Sequence, residues 1–92
     1  MIIQQTKLFA KQKKKLHKNQ IQTLDETVRA VMHDPKIGEL KKGDLGSVRV
    51  YKFKMTTQQC LLAYQFIKPE RVILLALGSH ENFYRNLKRT MK

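Results

Sequence analysis

Two groups of residues have the types and spacing for phosphate chemistry. The first is Lys52 and Lys54, in the run Val-Arg-Val-Tyr-Lys-Phe-Lys from Val48 to Lys54. The run alternates strictly and is rich in β-branched and aromatic residues, the pattern of a strand with two different faces. Alternation puts Val48, Val50, Lys52 and Lys54 on one face and Arg49, Tyr51 and Phe53 on the other. The two ammonium groups then stand about 7 Å apart on one side of a sheet. At that spacing they can grip one phosphodiester and its neighbour. The second group is His80, Tyr84 and Arg85. His80 and Tyr84 are spaced to be neighbours on one face of a helix. In the first turn of such a helix, the dipole and nearby cations oppose protonation of His80. Its neutral imidazole is then a usable general base at neutral pH. Tyr84 can move a proton or orient a phosphate, and Arg85 offers a planar fork to phosphate oxygens.

Each group also has a plain structural reading. Alternating lysines are a common protection for a sheet edge. A lone His at a helix start is often a cap, and Tyr84 beside Phe83 fits a core position. Lys14 and Lys15 lie in a Lys-rich first helix that is either a solvated face or an attractor for RNA or an acidic partner. Lys41, Lys42 and Arg49 are further candidate RNA contacts. Cys60 reads as a small core residue. His17 and His33 lack the carboxylates or cysteines of a metal site, so no metal and no cofactor is expected.

The elements that must position these residues fit one small domain spanning residues 1–92. Its 19 Lys and Arg against 7 Asp and Glu give a net charge of +12. An excess of this size points to nucleic acid, an acidic protein or an anionic membrane as partner. No apolar run approaches the length of a membrane span. A single cysteine excludes an internal disulfide and any cysteine-rich zinc site, and fits a reducing, cytoplasmic compartment. The first 24 residues carry six Lys and no acid. They lack Arg and run into a patterned helix, so they read as part of the domain rather than as a transit peptide.

Ile2 and Ile3 suggest a short edge strand over Met1–Gln5. Thr6 can cap a helix reaching about Lys18, with Leu8, Phe9 and Leu16 as its apolar positions. Asn19, with Gln22 three residues on, gives a capping-box spacing for a second helix. That helix carries Ile21, Leu24, Val28 and Val31, and Asp34-Pro35 stops it. Lys36 to Gly46 reads as a loop. The Val48 strand, a strand from Cys60 to Phe66 and a buried strand from Arg71 to Leu77 form an antiparallel meander. Gly78-Ser79 ends the sheet, and Ser79 caps a last helix of about His80 to Thr90.

Taken together, the two helices, the Lys41-Lys42-Gly43-Asp44-Leu45 loop, the Tyr-Lys-Phe-Lys strand, the Leu-Leu-Ala-Tyr-Gln-Phe strand and the segment Gly78 to Arg85 resemble the RelE/ParE superfamily of bacterial type II toxins, in its ParE-like branch. The resemblance covers nearly the whole chain. It implies an α+β, RelE-like (microbial RNase-like) fold: two N-terminal helices packed on a twisted antiparallel sheet, with a short C-terminal helix. It implies an endoribonuclease that cuts mRNA at the ribosome without metal, the ribose 2′-hydroxyl attacking the adjacent phosphate. Lys52 and Lys54 fall on the paired lysines of the RNA-cleaving members, where they would activate the nucleophile and stabilise the phosphorane. His80 falls where some members place a catalytic His, and Tyr84 on the aromatic that follows it. An acidic antitoxin would block the site. One position departs from the pattern: RNA-cleaving members carry an Arg on the next strand, and here that stretch is Cys60-Leu61-Leu62. The ParE branch inhibits DNA gyrase without catalysis, which stands as the alternative.

Overall fold

The structure, a computed structural model, describes residues 2–41, 47–55 and 57–79. It contains β1 (Ile2–Gln5), α1 (Lys7–Lys14), α2 (Lys18–His33), β2 (Glu39–Leu40), β3 (Val48–Met55), β4 (Gln58–Ile67) and β5 (Arg71–Ser79). The strands form one sheet in the order β1-β5-β4-β3-β2. The expected meander is present: β3, β4 and β5 pair antiparallel in sequence. The expectation of a wholly antiparallel sheet is corrected, because β1 runs parallel to β5. Both strands start at the 68–70 turn, where the Ile2 N–H donates to the Glu70 carbonyl at 2.8 Å.

Several boundaries move for local reasons. The first helix stops at Lys14 rather than about Lys18, as the Lys15 and Leu16 amides tighten onto carbonyls three residues back. The second helix is capped at His17, not Asn19: Gln20 Oε1 accepts from the His17 N–H at 2.8 Å. The stop at Asp34-Pro35 holds, and Asp34 Oδ1 accepts from the Lys36 N–H. The 36–46 stretch, read as loop, contributes β2, which pairs with Val50 and Arg49 of β3. Gly78 and Ser79 do not end the sheet short, since they pair with Leu61 and Cys60 of β4. The expected helix of His80 to Thr90 lies outside the described residues.

Each face of the sheet carries a cluster of buried residues. One face packs Leu62, Tyr64 and Val72 against Phe9 of α1 and Leu24 and Val31 of α2. The other carries Val48, Val50, Leu61, Ala63, Leu75 and Ala76, with Leu8 of α1 against them. Leu75 is the extra residue of a bulge, because the register passes from Tyr64↔Leu74 to Ala63↔Ala76. Helix α1 takes up the polar groups this exposes. Thr6 Oγ1 accepts from the Phe9 N–H at 3.1 Å and donates to the Leu75 carbonyl at 2.6 Å. Gln12 Oε1 accepts from the Leu77 N–H at 2.8 Å, so α1 closes the edge of β5 beyond the end of β1.

Burial pushes both the Cys60 thiol and the Tyr64 phenol above their ordinary ranges. Above the unfolded thiol's value, about 8.5, the unfolded chain gives up a proton that the folded chain keeps. Stability therefore falls as pH rises past that point, and again past the unfolded phenol's value near 10. Guanidinium titrations at successive alkaline pH values should show the parent losing stability from the lower point, with Cys60→Ala losing it only from the higher one.

Candidate nucleic-acid interface

Lys52 and Lys54 lie on β3, on the sheet face away from α2, and both side chains are exposed. The alternation read from sequence is therefore realised. Val48 and Val50 on the same face are buried, so the strand dips into the core at one end and raises two ammonium groups to solvent at the other. Among the described residues neither lysine has an ion-pair partner: the two pairs present are Lys13–Asp25 and Lys41–Glu39.

On the β4 side the described neighbours of this lysine pair are uncharged, while on β2 Glu39 stands opposite Val50 on the same face, diagonal to Lys52. Lys52 stands opposite Leu61 and Lys54 opposite Gln59. The row continues from Leu61 to Gly78 on β5. Among the described residues, a Cβ at Gly78 would meet nothing within 4 Å. Toward β4 and β5 the result is a cationic ridge beside an uncharged floor, suited to an anionic chain whose phosphates meet Lys52 and Lys54.

Helix α1 sorts its lysines. Lys13 turns toward α2 and pairs with Asp25 at 3.6 Å. Leu8 packs on the lysine-bearing face of the sheet. Lys11 lies three residues on from Leu8 along α1, so it flanks that same face, and Lys15 is the exposed C-cap residue that follows the helix. Lys14 falls off the stripe of Leu8 and Lys11. Lys11 was absent from the sequence-derived set; the signal for it was its spacing from Leu8, which had meaning only once Leu8 was assigned to a face.

The remaining candidates are separated from the pair. Arg49 points to the opposite face, where Nη1 donates to the Gly38 carbonyl at 2.9 Å and approaches the Lys36 carbonyl at 3.4 Å. It clamps the loop that leads into β2 rather than standing beside Lys52. The same loop is held by Tyr64, whose hydroxyl donates to the Pro35 carbonyl at 2.8 Å and accepts from the Gly38 N–H at 2.9 Å. Lys41 is half-buried and lies 3.4 Å from Glu39, which offsets its charge. Lys42, His80, Tyr84 and Arg85 lie outside the described residues. Among the described residues no cluster of His, Cys, Asp or Glu could hold a metal ion. No described helix is long and apolar enough to cross a membrane.

Comparison with known proteins gives a family and a fold. The model of the ParE-like toxin of type II bacterial toxin-antitoxin systems matches residues 3–88. The intact E. coli RelBE toxin-antitoxin complex contains a chain 22% identical to this one, with 87% of this chain and 96% of that chain covered and a TM-score of 0.69. The isolated E. coli RelE toxin is 22% identical over 87% of this chain and 84% of that one, with a TM-score of 0.67. An E. coli RelE mutant in complex with an antitoxin RelBc peptide is 20% identical over 87% and 83%, with a TM-score of 0.68. At these identities the likeness is one of fold. No curated protein sequence matches.

Proposed function

The chain belongs to the ParE-like toxin family of type II bacterial toxin-antitoxin systems, and we propose that it is a metal-independent mRNA endoribonuclease that acts at the ribosome and blocks translation. The observation that carries this reading is the lysine pair. Lys52 and Lys54 are exposed, free of ion pairs among the described residues, and adjacent on one sheet face. Cations held there on a strand can bind a scissile phosphate and offset the charge that builds on it as the ribose 2′-hydroxyl attacks. Orientation of the nucleotide on a rigid sheet supplies the in-line geometry.

His80 is assigned the proton transfers, with Tyr84 and Arg85 orienting the phosphate. Gln59 is the cross-strand neighbour of Lys54, and Cys60 that of Ser79. His80 is the next residue in the chain after Ser79. The partner is an acidic antitoxin whose segment covers the lysine face, consistent with a net charge of +12.

One observation favours the second reading, a non-enzymatic toxin that inhibits DNA gyrase. Leu61, opposite Lys52, is 1% exposed and apolar, so β4 brings no cation to the pair. Sequencing of RNA 5′ ends after induction separates the two. New ends in codon phase are expected. Inhibition of gyrase supercoiling by the purified protein with no new RNA ends would establish the second reading instead.

A further inference from the structure

Lys52 and Lys54 lie on one strand, and two contacts on one line leave a bound phosphate free to swing about that line. A third contact off the line fixes its orientation, which in-line attack requires. Gln59 of β4 stands in that place, directly opposite Lys54. Cβ atoms directly opposite lie about 4.5–5.5 Å apart and diagonal ones about 7–8 Å, so Gln59 is within side-chain reach of Lys54 and Lys52 alike. Alternation along β4 puts Gln59 on the face of Leu61 and Ala63, which is the lysine face.

The amide of Gln59 is unengaged. It is exposed, and among the described residues its side chain makes no hydrogen bond. Gln12, Gln20 and Gln65, by contrast, are tied inside the fold to Leu77, His17 and Ser47. The backbone that carries Gln59 is anchored. β3 and β4 pair without a break from Val48↔Gln65 to Met55↔Gln58. On the opposite face Met55 and Cys60 pin the same end of the hairpin into the core. Leu61, the next position on the lysine face, is buried and apolar, so Gln59 is what β4 brings to the pair. A carboxamide so placed offers two N–H donors to an anion.

We propose that Gln59 is a catalytic residue of RNA cleavage, its Nε2–H donating to a non-bridging oxygen of the scissile phosphate while Lys52 and Lys54 offset the charge. The proposal rests on the nuclease reading. In the step, a bond forms from the ribose 2′-oxygen to phosphorus and the bond from phosphorus to the 5′-oxygen breaks. A cyclic phosphate and a 5′-hydroxyl result. The proton lost by the 2′-hydroxyl goes to His80 and the 5′-oxygen gains one in return, so the amide exchanges none. Its hydrogen bond strengthens as negative charge builds on the phosphate oxygen. Being neutral, the amide displaces no counterion when RNA binds, so it acts on the rate and not on the ionic attraction.

The test is single-turnover cleavage of mRNA on ribosomes by the full-length chain. Gln59→Ala should slow cleavage about 10²-fold at saturating protein. Its half-saturating concentration, the salt dependence of that concentration and its melting temperature should match the parent's. Lys54→Gln, by contrast, should flatten the salt dependence. Gln58 is the control, being the same residue type, adjacent, also exposed and on the opposite face. Gln58→Ala should cleave as the parent does. Sulfur in place of the oxygen that accepts from Gln59, a poorer acceptor, should slow the parent more than it slows Gln59→Ala. Parent-like cleavage by Gln59→Ala, or an equal loss in Gln58→Ala, would overturn the proposal. Slow cleavage by Lys54→Gln in the same assay would leave the nuclease reading standing. If the parent itself cuts no RNA, the nuclease reading fails and this proposal with it.

Discussion

Replacing Lys52 or Lys54 with Gln is expected to lower RNA cleavage about 10²–10³-fold, the usual effect of removing one group that stabilises transition-state charge. The double variant should lose less than the product of the two, because both ammonium groups serve one phosphate. The fold should be untouched. Both side chains are exposed and neither holds an ion pair among the described residues. With a net charge of +12, removing a cation relieves repulsion, so the melting temperature should stay level or rise. Lys52→Arg keeps the charge but not the point-like ammonium, and should fall between parent and Gln variant. His80→Ala combined with Lys52→Ala should release cells from growth arrest. Growth arrest by that pair as strong as the parent's would remove the nuclease assignment. Gyrase inhibition unchanged in the Lys52, Lys54 double variant would show that the ridge does not serve that activity.

What the sequence disclosed depended on whether the signal was local. β3 was legible because strict alternation ties each side chain to a face without reference to any neighbour. The Arg71 to Leu77 run was legible as an inner strand because it is apolar on both faces, and β5 does lie between β1 and β4. The end of α2 was legible because Asp34-Pro35 acts on its own backbone. Features made by pairing were not. β2 is two residues long and exists only through Val50 and Arg49. The start of α2 was misplaced because N-cap preference favours Asn19, whereas the cap forms at His17 through the Gln20 side chain. The bulge at Leu75 is met by the Thr6 hydroxyl, which is remote in sequence. The site divides in the same way. The lysine pair follows from spacing, whereas the diversion of Arg49 follows from the carbonyls of Gly38 and Lys36, which approach β3 only in the fold.

That loop is also where a small substitution should do large damage. Gly38→Ala is expected to cost about 2–4 kcal/mol, combining overpacking with the loss of a buried hydrogen bond. The reason is space. A Cβ at Gly38 would lie 2.7 Å from the Tyr64 hydroxyl and 2.9 Å from its ring. Tyr64 cannot retreat, for it is fully buried within the helix-facing core. The loop cannot retreat either without breaking the Gly38 N–H bond to Tyr64 and the Arg49 bond to the Gly38 carbonyl. Against a total stability of about 5–15 kcal/mol, such a loss is severe. Tyr64→Phe, which removes the hydroxyl and strands both the Pro35 carbonyl and the Gly38 amide, should cost about 1–3 kcal/mol. In that background Gly38→Ala should cost less than it does in the parent, because the oxygen nearest the new methyl is gone. Urea titrations of the four chains measure this coupling. An equal cost of Gly38→Ala with and without the hydroxyl would show that something other than Tyr64 limits the position. Since Arg49 and Tyr64 grip the same loop from neighbouring strands, a weakened grip should also free the 35–41 segment. Faster amide exchange at Gly38 in Tyr64→Phe, with the β4–β5 amides unchanged, is the local signature expected of it.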